Sequence, residues 1–451
     1  MKVVVIGGGI AGLAAARQLE ALFDRIEVVV LESTSHIGGK LLTEHVDGFV
    51  IEGGADSFLS RKARGVGLCE ELGLGEELIG RRSENARSFV RVGRDLHELP
   101  EGLTGMIPTN LDALEGSTLL SKEGRERLAA EVDLPPASPE GDESVASFIT
   151  RRLGREAYER MVEPLMAGIY GGDGGQLSLQ ATFPHLHELE REHGSILRGL
   201  AGQPPAEAQY PPFVSLRAGM QALVDRLAAS LEHTSIHPLQ PRSLHALPGG
   251  YGVDCGHIVE ADGVVIAAPA YAASTLVAEL DPGLADLLAE IPYAASAIVT
   301  LAYRLEDVGH PLDGYGYVVP AVEDSDVLAC TWSSSKWEGR APGGNALIRV
   351  YLRRITQGSD DSVIDLARAE LTMLGIEAQP LLTRIHRWPR GMPQYVLGHP
   401  ERLERIDAAL LDHPGLALAG AAYRGVGIPD CIHSGEEAAR LLARSLAGVS
   451  G

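Results

Sequence analysis

The segment ALAGAAYRGVGIPDCIHSGEEAA, residues 417–439, constrains the fold most, because a second glycine-rich junction of the same kind opens the chain at residues 7–12. Residues 416–419 read as a short buried strand, Gly420 ends it, and Gly425 and Gly427 leave backbone uncovered before an amphipathic helix expected from about Ser434. A strand, an open turn and a helix present free backbone N–H groups and a positive helix end to an electron-rich ligand. One such junction suggests a nucleotide. Two, at opposite ends of one chain, suggest a fold in which both termini return to a single site.

At the N-terminus, residues 2–6 read as a strand, GGGIAG follows at 7–12 (Gly7, Gly8, Gly9, Ile10, Ala11, Gly12), and residues 13–22 have helical character. Gly7 permits the tight turn, Gly9 lets the backbone approach a pyrophosphate, and Gly12 allows helix to pack on strand. A second strand, 26–31, ends at Glu32, 32 − 12 = 20 residues past the last glycine, where a carboxylate binds ribose hydroxyls and disfavours a 2′-phosphate. STSHIGGKLLT at 33–43 then supplies a second glycine pair, with Gly39 beside Lys40, a cation able to neutralise phosphate.

A chain of 451 residues is too long for one core and implies interleaved domains. No apolar run approaches the ~20 residues that cross a bilayer, and the opening MKVVVIGGG lacks the regions of a signal peptide, so a cytoplasmic location is expected. The four cysteines form no CxxC pair, which points to reduced, buried thiols. A formal charge of −22 disfavours nucleic acid, so an anionic substrate needs a local cationic cluster. HLHELEREH at 185–193 spaces its histidines poorly for helical ligands, and no metal site is expected.

The pattern predicts an α/β fold: a Rossmann-like nucleotide-binding domain (1–90, 205–280 and 388–451) interleaved with a substrate domain of mixed sheet plus helices, and a helical insertion. The insertion covers 91–204, with a helical run over 144–166, and the substrate-domain sheet covers 281–387, with strands at 297–303 and 346–352. AGQPPAEAQYPP at 201–212 reads as a connector, residues 213–231 as a strand turning into a helix, and 263–268 as a return strand ending at Pro269.

GGGIAG, Glu32, Gly38-Gly39-Lys40 and the C-terminal GxGIPD turn together resemble the flavin amine oxidase superfamily, which includes monoamine oxidases, phytoene desaturases and porphyrinogen oxidases. That resemblance implies FAD, its isoalloxazine reaching the C-terminal turn at Val426, Gly427 and Ile428. DGFVIEGGADSFLSRK (47–62), EPLMAGIYGGD (163–173), MPQYVLGH (392–399) and YRGVGIPDCI (423–432) resemble bacterial porphyrinogen oxidases of haem synthesis, above all the soluble form acting on coproporphyrinogen III, with protoporphyrinogen IX as a related substrate. It implies that Gly53, Gly54, Ala55 and Asp56 flank the flavin and that Trp388 stands beside the ring. The family usually has proline at Ala55 and a longer basic residue at His36.

In such an oxygen-linked oxidoreductase of CH–CH groups the flavin carries the chemistry, and no catalytic side chain is expected. A porphyrinogen with several propionates requires an apolar pocket rimmed by cations. Lys62, in the cluster Arg61, Lys62, Arg64, is the expected anchor, and Met166, Ile169 and Tyr170 the expected apolar wall. Two rivals stay open. An amine oxidase or carotenoid desaturase shares the fingerprints but lacks the set ADSFL, GIYGGD and GIPDCI. A non-catalytic module resembling GDP dissociation inhibitors shares the fold, and the intact glycines and Glu32 argue against it. Contact with a ferrochelatase and peripheral contact with a membrane are left open.

Overall fold

The computed structural model describes residues 1–137, 141–202, 209–353 and 358–449. Its first sheet is built from near-continuous apolar runs such as KVVVI and EVVVL, the pattern of strands covered on both faces. Five strands pair in parallel in the order Thr234–His237, Glu27–Leu31, Lys2–Ile6, Gly263–Ile266, Leu416–Leu418. Val3, Val5, Val28, Val30 and Val265 pack toward helices Ile10–Leu22 and Ile428–Val449. Val4, Ile6, Val29, Val264 and Ile266 pack toward Ala270–Val277 and Pro282–Ala289.

The N-terminal and C-terminal helices cross so closely that a Cβ on Gly435 would lie 2.0 Å from the Ala11 carbonyl oxygen. Both ends of the chain therefore meet on one face of the sheet. The last helix begins at Ile428 rather than near Ser434, because Pro429 falls in its first turn, where a missing N–H costs nothing.

A second sheet runs Leu382–Pro393, Tyr293–Arg304, Asn345–Arg353, Val327–Trp332, Gly316–Val318, Phe89–Val92, Asp95–Glu98. It contains both strands expected at 297–303 and 346–352. It also recruits the hairpin at 89–98 through parallel pairing with Gly316–Val318, so the divisions expected at 90/91 and 387/388 both fall inside strands. The helical insertion has its own apolar core around Phe148, Met161 and Leu186. Its expected run over 144–166 is interrupted at Gly154 (φ +95°), after which a π-helical turn, Tyr158–Val162, leads into Glu163–Tyr170. Of the connector at 201–212, residues 203–208 lie outside the described residues. Among the described residues no helix is long and apolar enough to cross a membrane.

Candidate cofactor and substrate site

The first glycine turn has no room for side chains where the motif requires none. A Cβ on Gly12 would stand 2.0 Å from the Gly7 carbonyl oxygen, and Gly7 itself has φ +110°. Gly9, in contrast, opens on space, with no atom within 4 Å of the position of a Cβ. Glu32 is buried at the end of the second strand; its Oε2 accepts the Gly8 N–H (2.8 Å) and its Oε1 accepts the Thr34 N–H (2.9 Å). The second glycine pair closes the wall, since Gly38 N–H donates to the Gly8 carbonyl (2.8 Å). Lys40 is half-buried beside Cys431 with no acidic partner among the described residues, and burial lowers its ammonium pKa. An open backbone cradle, a fixed carboxylate and an uncompensated cation fit an adenosine pyrophosphate with free ribose hydroxyls.

A cavity of about 320 Å³ extends this cradle between Gly7, Ser33, Gln240, Arg242, Tyr271 and Arg390. Gln240, Arg242, Tyr271 and Arg390 lie in no sequence motif. Their only signal is positional: Gln240 and Arg242 follow the edge strand whose His237 pairs with Leu31, next to Glu32.

The segment 53–56 is held against the cradle from both sides. A Cβ on Gly54 would lie 1.9 Å from the Lys40 carbonyl oxygen, and one on Gly53 would lie 2.6 Å from the His386 ring. Trp388 Nε1 donates to the Gly53 carbonyl (2.9 Å) and Arg349 Nη2 to the Gly54 carbonyl (2.5 Å). Asp56 Oδ2 accepts from Lys336 Nζ (2.9 Å) and Trp337 Nε1 (3.1 Å), with Arg349 Nη1 at 3.6 Å. Burial alone would raise the Asp56 carboxyl; Lys336 and then Arg349 reverse that and hold it well below the usual carboxylate range. Ala55, where the family usually has proline, is exposed. Lys336, Trp337 and Arg349 were missed from sequence, although a charge inside the strand NALIRVYLR was a readable signal that its second face meets something polar.

Three motif segments meet at Tyr395. Its hydroxyl donates to the Ala421 carbonyl (2.6 Å) and accepts the Gly425 N–H (2.7 Å). Its ring stacks on His399 (4.3 Å between centroids), whose Nε2 contacts the Tyr423 carbonyl at 3.0 Å. Gln394 Nε2 donates to the Tyr170 carbonyl (2.7 Å), and a Cβ on Gly172 would collide with Gln394. The turn carrying Val426, Gly427 and Ile428 is thereby tied to the end of Glu163–Tyr170. Asp430 Oδ2 already accepts the Gly427 N–H (3.2 Å), so that backbone group is capped from within the turn.

The expected substrate residues separate. Met166 is fully buried in the helical core, Tyr170 packs on Phe183 and Tyr395, and Ile169 is 45% exposed on the opposite face. Lys62 is committed to Asp430 (Nζ to Oδ1 2.7 Å), and Arg64 to Glu436 (2.9 Å) and Glu71 (2.8 Å). Arg61 is exposed, near enough to His185 to help burial lower that imidazole's pKa. No group of potential metal ligands occurs among the described residues.

Residues 10–443 match the family model for flavin containing amine oxidoreductases. The chain is 34% identical to the coproporphyrinogen III oxidase of Bacillus subtilis, over 97% of this chain and 96% of that one. It is 32% identical to a Bos taurus protoporphyrinogen oxidase, over 97% of each. A solved structure from Exiguobacterium sp. 255-15, provisionally assigned as a protoporphyrinogen oxidase, superposes with TM-score 0.87 at 31% identity and 99% coverage of both chains. A solved putrescine oxidase variant, at 18% identity and TM-score 0.68 with 98% and 99% of the two chains covered, shares the fold alone. The chain belongs to the flavin containing amine oxidoreductase family, in the branch that holds the coproporphyrinogen III oxidases and protoporphyrinogen oxidases.

Proposed function

We propose that this chain is an FAD-dependent oxidase that converts coproporphyrinogen III to coproporphyrin III in haem synthesis, with dioxygen as acceptor. The reading is carried by the meeting of GIYGGD, MPQY and GVGIPD around Tyr395, in a chain that aligns end to end with coproporphyrinogen III oxidases. The substrate is a reduced macrocycle, and each oxidation removes a hydride from carbon and a proton from nitrogen. When bound, FAD supplies the two-electron acceptor and returns the electrons to dioxygen as hydrogen peroxide.

The chain's own part is binding and orientation. The backbone around Gly9 and the N-terminus of Ile10–Leu22 take the pyrophosphate, Lys40 adds charge, and Glu32 takes the ribose hydroxyls. Residues 53–56, locked by Trp388, Arg349 and Lys336, form one edge of the ring site, and the turn at 426–428 forms the other. Lys62 neutralises Asp430 in that turn and so limits the negative charge where reducing equivalents arrive. The exposed face of Gly168 and Ile169 offers the macrocycle an apolar wall.

The test is anaerobic mixing of the yellow protein with coproporphyrinogen III, followed by oxygen. Bleaching of the visible flavin band and its return on aeration are expected; failure of both porphyrinogens to bleach it rejects the reading. Protoporphyrinogen IX is the second reading, favoured by the similarity to the Bos taurus enzyme, and the relative bleaching rates separate the two. The activity is placed in the cytoplasm, with coproporphyrin passed to a ferrochelatase by transient contact, which co-sedimentation of the two purified proteins would detect.

A further inference from the structure

We infer that Arg81 is a carboxylate-binding residue that anchors an acidic side chain of the macrocycle, an inference that rests on the porphyrinogen reading above. A polyanionic ligand approaching a chain of formal charge −22 needs a cation that the protein has not already neutralised. The obvious ones are taken: Lys62 by Asp430, Arg64 by Glu436 and Glu71, and Lys336 and Arg349 by Asp56.

Arg81 is half-buried directly after the strand Leu78–Gly80 and has no carboxylate partner among the described residues. Its guanidinium carbon stands 4.8 Å from the centre of the Phe213 ring and 4.6 Å from that of Tyr315. Cation–π packing on two rings consumes none of the guanidinium N–H groups, so the fork that takes a carboxylate bidentately remains for a ligand. The mount is rigid, since Arg82 N–H donates to the Lys336 carbonyl (3.0 Å) and Tyr315 OH to the Arg82 carbonyl (2.9 Å).

The location fits a substrate anchor. The strand Phe213–Leu216 pairs with both Leu78–Gly80 and Phe58–Leu59, and the latter continues from the flavin-flanking segment 53–56. Asp56 is the carboxylate that influences Arg81 electrostatically, and it is shared with Lys336 and Arg349. Three cations around one anion leave net positive charge beside the ring site. Burial lowers the Arg81 pKa, as it does for a cation whose lost water is not replaced by an anion. Phe213, 37% exposed, adds an apolar surface against which the macrocycle edge can rest.

The experiment uses the FAD-loaded protein and two probes, coproporphyrin III and its tetramethyl ester, with binding read by fluorescence quenching. Wild type is expected to favour the free acid. Arg81→Gln should weaken the acid about tenfold, as for loss of a charged hydrogen-bond pair, and leave the ester within twofold; Arg81→Lys should restore part of the difference. Equal weakening of acid and ester, or no change in either, overturns the assignment and makes Arg81 a packing residue. Should Arg81→Gln lose its flavin spectrum, Arg81→Met, which keeps the stem against the rings, is measured in the same way. If wild type neither binds coproporphyrin nor is reduced by porphyrinogen, it is the functional reading that fails.

Discussion

Replacing Asp56 by Asn tests whether the carboxylate that ends the segment 53–56 holds the second sheet to the glycine-rich cradle. The side chain is 12% exposed, Lys336 Nζ lies 2.9 Å away, and Arg349, whose side chain is 1% exposed, stands at 3.6 Å. Removing one partner of a buried ion pair costs about 3–5 kcal/mol, because the remaining charge stays desolvated. Asn keeps an oxygen for Trp337 Nε1, which recovers about 1 kcal/mol, so a net loss of about 3 kcal/mol is expected. Urea unfolding of the FAD-loaded protein, followed by tryptophan fluorescence, measures it. The folded-state pKa of Asp56 lies below its unfolded value, so its stabilisation is complete above the ordinary carboxylate pKa and is lost as pH falls from there toward the depressed value. The gap between wild type and Asp56→Asn should therefore be flat between about pH 5 and 8 and narrow below about pH 4. A loss under about 1 kcal/mol, or strict additivity with Lys336→Met in a double-mutant cycle, would refute the argument.

Three further outcomes are expected. Gly12→Ala places a methyl 2.0 Å from the Gly7 carbonyl oxygen, backbone that cannot yield, so the purified protein should be colourless and fail to rebind FAD in a titration. Tyr395→Phe keeps the His399 stack but strips partners from the Gly425 N–H and the Ala421 carbonyl; at about 1 kcal/mol each, FAD affinity measured by fluorescence should fall roughly tenfold or more. Lys62→Met breaks a pair whose lysine side chain is 43% exposed, so stability should change by less than about 1 kcal/mol. Its KM values for the two porphyrinogens should shift equally, and a selective loss for coproporphyrinogen would return Lys62 to an anchoring role.

The parts of the site that were legible in the sequence are those whose geometry is local. Gly7, Gly9, Gly12 and Glu32 lie within one strand–helix–strand unit, where residue type and spacing determine backbone conformation directly, and the structure shows the closed and open positions that the spacing implies. The return of the C-terminus was legible for the same reason, since strand, turn and helix can each be read from a short window. Charge partners were not. Lys62 and Asp430 are 368 positions apart, and Asp56 and Lys336 are 280 apart. A basic triplet has the same local pattern whether it faces water, a ligand or a carboxylate brought by the fold. Basic residues cluster at Lys62, but clustering says nothing about neutralisation. Once tertiary partners are assigned, a cation free to bind an anion is one left without a carboxylate among the described residues. Arg81 is such a cation beside the segment 53–56, a residue in no motif, held by two rings from different strands and loops.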